Sequence, residues 1–130
     1  NNAKAVAKLI DQRLVRSAHD CSDGGLLVAA AEMAFAGRIG LDIDLAGIPN
    51  DVCLPEQLCF AETPSRYLLE VHPDHVAGVV EHLLQAGVPF GQVGTFADHN
   101  NLTVRKPDEG QLLEIDLDTL RNSWLKPLDW

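Results

Sequence analysis

Apolar residues recur at helical spacing almost from the start of the chain. Val6, Leu9, Ile10 and Leu14 fall on one face and predict an amphipathic helix. A short extended stretch, Ser17 to Cys21, follows. Ser22-Asp23-Gly24-Gly25 then opens a second helix with Ser22 as its N-cap. From Leu26 to Ala36 that helix is apolar on all sides except at Glu32, the pattern of a helix buried on more than one side, and Gly37 is placed to stop it. Leu41, Ile43 and Leu45 alternate with Asp42 and Asp44, which predicts a half-exposed strand. Residues 47–55 read as a loop, with a short helix through Gln57 and Leu58.

Arg66 to Val71 is predicted as a strand, and its apolar content (Tyr67, Leu68, Leu69, Val71) suggests a central position. Pro73-Asp74 starts a third long helix that ends at Gly87, with Val76, Val79, Val80, Leu83 and Leu84 as its core stripe. Three extended stretches come next, at 90–96, 102–105 and 112–117, with polar turns at 98–101 and 107–110. A last helix from Asp118 to about Lys126 carries Leu120 and Trp124 one turn apart. This order of elements predicts an α+β fold, three-layered, with helices packed on a mixed sheet.

Composition narrows the function classes. The chain has 130 residues, one domain's worth, and 46% of them are hydrophobic, enough for a real core. The longest apolar run, Leu26 to Ala31, is too short to span a bilayer, and no secretion signal is expected. Ten Lys and Arg against nineteen Asp and Glu give a net charge of −9. That field repels nucleic-acid backbones and anionic lipid, so neither nucleic acid nor membrane is an expected partner. Three cysteines, Cys21, Cys53 and Cys59, with no Cys-x-x-Cys, read as reduced thiols of a cytoplasmic protein rather than a disulfide framework or zinc site.

The segment from His19 to Leu26 is the strongest candidate for chemistry. It joins a strand end to a helix N-terminus, where unpaired N–H groups and a partial positive charge favour anions. Gly24 and Gly25 would allow close approach of a ligand to the backbone. Asp20 and Asp23 would repel a bare phosphate, but suit a Mg²⁺ lying between carboxylate and phosphate. The alternative is structural: Asp23 favours the helix dipole and Asp20 satisfies loop amides. His19 reads as a base, a ligand or a hydrogen-bonding wall residue. His72, His75 and His82 read as helix-start and surface residues. Glu62 and Arg66 flank Thr63-Pro64-Ser65 just before a strand, as a substrate-orienting pair or a loop clamp. No Gly-x-x-x-x-Gly-Lys loop, Gly-x-Ser-x-Gly elbow or His-Glu-x-x-His motif is present, so a self-contained active site of these types is absent.

The run Ala18-His-Asp-Cys-Ser-Asp-Gly-Gly-Leu26, with Ala31-Glu-Met-Ala-Phe-Ala-Gly37 and Gly40-Leu-Asp-Ile-Asp44, closely resembles the C-terminal part of the phosphoribosylformylglycinamidine synthase family. Phe60-Ala-Glu-Thr-Pro-Ser-Arg66 and Leu120-Arg-Asn-Ser-Trp124 resemble it too. Shorter forms of the first motif occur across the wider superfamily of aminoimidazole ribonucleotide synthetase. The resemblance covers nearly the whole chain. It implies a three-layer α/β/α domain with partial ferredoxin-like topology, the last of four alternating domains in a longer polypeptide. The abrupt helical start without Met agrees with that expectation.

The family reaction is an ATP-dependent, amidine-forming ligation of formylglycinamide ribonucleotide. Its amide oxygen is phosphorylated, and ammonia from a glutamine amidotransferase subunit displaces the phosphate. The resemblance implies Mg²⁺ at Asp20, nucleotide phosphate at Ser22, Asp23, Gly24 and Gly25, and substrate contacts on the side of His19, Glu62, Thr63 and Arg66. ATP or ADP and Mg²⁺ are the implied cofactors of the full-length enzyme; its other domains, the amidotransferase and nucleotide substrates are the implied partners. Whether this copy completes the catalytic site or an auxiliary nucleotide site stays open. Thr63 and Pro64 depart from the first-half pattern, and Cys21 replaces Ile or Arg as an expected packing change. Two competing readings are a domain of another synthetase of the superfamily, and a non-catalytic acidic interaction module.

Overall fold

The computed structural model describes residues 1–49, 54–106 and 110–128. Among these residues five α-helices and six strands follow one another in the order α1 (Asn2–Asp11), β1 (Ser17–Asp20), α2 (Gly25–Gly37), β2 (Gly40–Asp44), α3 (Pro55–Phe60), β3 (Tyr67–Glu70), α4 (Val76–Gln85), β4 (Gly94–Ala97), β5 (Asn101–Lys106), β6 (Gly110–Asp116) and α5 (Leu117–Leu125). The α+β expectation holds. The strands divide between two sheets, an antiparallel β1–β3 ribbon and a four-stranded sheet in the order β4-β2-β5-β6. In the larger sheet β2 runs parallel to β5 while the other pairs are antiparallel, so it is mixed.

The apolar character of α2 now has a physical cause. Its buried residues Leu26, Ala29, Ala30, Ala31 and Ala34 join Leu41, Ile43, Leu102 and Val104 of the four-stranded sheet in one core, against which Leu68 of β3 also packs. A second, smaller cluster joins Ala5 and Leu9 of α1 to Val79 and Leu83 of α4, with Leu69 and Val71 packed on it. Successive residues of a strand face opposite ways, so β3 presents Leu68 to one cluster and Leu69 to the other. Helices therefore flank the ribbon on both sides, α1 and α4 on one and α2 on the other, a local α/β/α layering.

Several expectations need correction. The strand over Arg66 to Val71 is not central among the described residues: β3 pairs only with β1, and all four of its residues are half-buried. Its apolar content reflects two clusters meeting on its two faces, not neighbours on both edges. Helix α1 stops at Asp11, the chain turns through Arg13 (φ 57°), and Leu14 reaches the second cluster from beyond the helix; Ile10 is exposed. In α4 only Val79 and Leu83 are buried, and Val76 and Leu84 face outward, because α1 covers a narrow stripe. Gly37 is the last helical residue of α2, and Arg38 takes the left-handed stop (φ 52°). The stretch 90–96 becomes a strand only from Gly94, although Asp44 N–H reaches Val93 O at 2.8 Å. Residues 50–53, with Cys53, and most of the 107–110 turn lie outside the described residues. No described helix is long and apolar enough to cross a membrane.

Candidate functional site

The ribbon explains how two motifs forty residues apart in sequence come together. In an antiparallel pair, the exit of β1 and the entrance of β3 lie at the same end. Cys21 N–H donates to Arg66 O at 2.9 Å and closes that end. The β1–α2 turn and the α3–β3 loop therefore run side by side. Between them is an open cleft of about 400 Å³ lined by Asp20, Cys21, Ser22 and Asp23 from the first and by Glu62 through Tyr67 from the second.

Ser22 does not cap α2. Gly24 occupies the N-cap with φ 80°, Gly25 follows at φ 73°, and Gly25 N–H donates to Ser22 O at 3.1 Å. A capping serine needs extended backbone, and this chain enters its helix through left-handed geometry that glycine alone adopts freely. The Ser22 hydroxyl instead donates to Asp20 Oδ2. That bond, ahead of Asp20's own amide and the His19 charge, holds the Asp20 carboxyl below the ordinary carboxylate range.

Glu62 supplies what Ser22 does not. Its Oε1 accepts from Gly24 N–H at 3.0 Å, so a carboxylate from the α3–β3 loop already sits on the amide that opens α2. Glu62 and Arg66 form no ion pair with each other among the described residues; the Arg66 guanidinium donates to Ala61 O at 3.4 Å. Of the two sequence expectations, an orienting pair or a loop clamp, no direct pair forms; both groups line one cleft wall, and Arg66 ties across the loop to Ala61. Gly25 has a packing role: a Cβ there would meet Cys59 O at 2.8 Å and Phe60 C at 2.7 Å. Its bare Cα lets α2 lie against the backbone of α3, and it is not among the cleft-lining residues.

His19 also lies outside the lining. Its Nε2 is 2.6 Å from Glu32 Oε2 on α2, and its Nδ1 is 2.6 Å from Asp20 O. A carbonyl oxygen and a carboxylate are both acceptors, so the imidazolium form is the one that satisfies both contacts at once. Partial burial pulls the His19 pKa down, but the Glu32 and Asp20 hydrogen bonds and the two carboxylate charges outweigh it and leave it raised. The residue that sequence reasoning missed is Glu32, the one polar position on an otherwise apolar helix. Burial pushes the Cys21 and Cys59 thiols up, with Arg66 opposing it in part at Cys21. His72 accepts from Asp74 N–H at 3.2 Å as a turn cap, in line with its expected role.

The cleft is mainly acidic, with Asp20, Asp23 and Glu62 facing a single guanidinium. Among the described residues no three His, Cys, Asp or Glu are grouped to hold a metal by themselves.

Residues 1–106 match the family model of the AIR synthase related protein, C-terminal domain. Among curated proteins, the chain is 40% identical over 119 residues to the phosphoribosylformylglycinamidine synthase subunit PurL of Alkaliphilus metalliredigens, covering 86% of this chain and 15% of that protein. It is 36% identical over 120 residues to the PurL of Deinococcus radiodurans, covering 92% and 16%. The chain thus spans about 15% of the length of the curated relatives it matches. Among solved structures, it superposes on Thermotoga maritima PurL complexed with ATP at a TM-score of 0.84, with 19% identity over 92% of this chain and 21% of that one. A chain of PurLQS from the same organism gives 0.83 and 20%, over 92% and 21%. These structures share the fold. From the match over residues 1–106, the chain belongs to the family of the AIR synthase related protein, C-terminal domain.

Proposed function

We propose that this chain is the C-terminal domain of the synthetase subunit of a phosphoribosylformylglycinamidine synthase, inactive alone and working with the remaining domains of a longer polypeptide. The reaction is the ATP-dependent conversion of formylglycinamide ribonucleotide to the amidine with ammonia supplied by a glutamine amidotransferase subunit, in the cytoplasm. The observation that carries this reading is the meeting of the two family-like motifs, 19–25 and 60–66, on one cleft of a chain 40% identical to a PurL. The likeness to PurL chains complexed with ATP, and to PurLQS, supports nucleotide and partner alike.

The donor set fits Mg²⁺ shared with a phosphate, and does not fit a metal caged by protein alone. Mg²⁺ takes one or two carboxylates and fills its other positions with water and phosphate oxygens. Asp20 is exposed, its carboxyl is held below the ordinary carboxylate range, and its Oδ1 lies 3.6 Å from His19 Nδ1. When bound, the ion would neutralise charge on the nucleotide phosphates. On this chain, Asp20 with Asp23 would hold it, and Ser22 and His19 would fix the Asp20 rotamer from either side. Thr63 and Arg66 would offer a hydroxyl and a guanidinium to the substrate's oxygens. Glu62, by holding Gly24 N–H, would keep the two cleft walls together. Ser22, Gly24 and Gly25 would then act by shaping the wall rather than by lending amides to phosphate.

The test is Asp20→Asn in the whole synthetase, assayed for ammonia- and ATP-dependent amidine formation and for Mg²⁺-nucleotide retention. We expect activity to fall at least about tenfold with the fold intact. Unchanged kcat, KM for ATP and nucleotide retention would assign the loop to structure alone.

A further inference from the structure

The outer edge of β3 has no strand beside it among the described residues, although helices cover both of its faces. Tyr67, Leu68 and Leu69 give β3 the near-continuous apolar run of a strand covered on both faces. Its partner β1, Ser17-Ala-His-Asp20, is mostly polar, as suits an edge. Yet among the described residues β3 pairs on one side only. The register sets which groups are unused. Cys21 N–H bonds Arg66 O, and His19 lies opposite Leu68, so Cys21 and His19 exchange bonds with Arg66 and Leu68, while Glu70 O accepts from Arg16 N–H at 2.8 Å. The alternate residues, Tyr67 and Leu69, then turn their N–H and C=O groups away from β1. Among the described residues no backbone group bonds Tyr67 or Leu69 on that side.

Between Tyr67 and Leu69 there is no Pro, no Lys and no bulge. Helices α1 and α4 pack on one face of the ribbon and α2 on the other, although two strands make a marginal sheet.

We propose that the outer edge of β3 is a strand-docking site, filled by an extended segment from the rest of the synthetase polypeptide. The occupant would be a short apolar run, because helices cover both faces of the ribbon it would extend. A segment of the same polypeptide is favoured over a second copy because this chain spans about 15% of its relatives, which leaves most of their length to supply it. The inference rests on the reading of the chain as one domain of that longer protein.

The test is residue-resolved hydrogen exchange on the whole synthetase carrying this sequence, with its mass and ligase activity measured on the same sample. The Leu68 amide, which faces His19 of β1, is the internal reference. With the edge occupied, Tyr67 and Leu69 should be protected to within about tenfold of Leu68. Tyr67 and Leu69 exchanging roughly 100-fold or more faster than Leu68 would overturn the proposal. Protection that fades on dilution, together with a dimer-to-monomer shift in mass, would overturn it in favour of a second copy. An active enzyme with fast Tyr67 and Leu69 would refute the docked strand and leave the proposed function standing. An inactive one with both amides protected would do the reverse.

Discussion

Gly25→Ala tests the central packing argument most directly. Gly25 is buried at φ 73°, and an added Cβ would lie 2.7 Å from Phe60 C, 2.8 Å from Cys59 O and 2.9 Å from Phe60 Cα. All three are backbone atoms of α3, which no rotamer change can move aside. Left-handed backbone costs a non-glycine residue about 1–2 kcal/mol, partly offset by about 0.4–1 kcal/mol from a less flexible unfolded chain. Forcing α3 away adds about 1–3 kcal/mol of overpacking. The total is about 2–4 kcal/mol. Gly87→Ala is the control: φ is 66° there, but nothing lies within 4 Å of its Cβ, so only the backbone cost of about 1 kcal/mol remains. Urea unfolding of the 130-residue chain, read as a change in midpoint at constant slope, measures both. Equal costs for the two variants would refute the close approach of α2 to α3 as the reason for glycine at position 25.

Three further outcomes follow from the site. Glu62→Ala should remove the acceptor of Gly24 N–H and cost about 1 kcal/mol, with faster exchange at the Gly24 amide; an unchanged Gly24 amide would place the Glu62 carboxylate elsewhere. His19 should titrate above its ordinary value near 6.5, as followed by NMR. Because its folded pKa is raised, its stabilisation is fully present below the unfolded pKa and is lost as pH rises through the folded one. Glu32→Gln should flatten that dependence, and a wild-type His19 titrating at or below 6.5 would refute the pairing. In a Cys53→Ser background, Cys21 and Cys59 should resist a thiol reagent until the chain unfolds, since both are buried and their thiols are pushed up; rapid labelling of the native chain would contradict their burial.

The sequence by itself determined the elements and the family. Local periodicity marks α2, α4, α5 and the alternating strand β6, because each depends on side chains spaced 3.6 or 2 apart within one segment. The length of the match around His19-Asp20 and Phe60–Arg66 carried the resemblance that the family model bears out. Tertiary structure alone decided what those residues face. Ser22 has the look of an N-cap, but the left-handed entry at Gly24 and Gly25 hands that amide to Glu62, 38 residues away. Leu68 and Leu69 suggested a central strand, and only the two clusters reveal that the faces, not the edges, are what β3 shares. The cleft itself depends on the antiparallel register of β1 with β3. A strand's sequence records what its two faces touch, whereas its pairing partner is chosen by backbone groups that every residue carries alike.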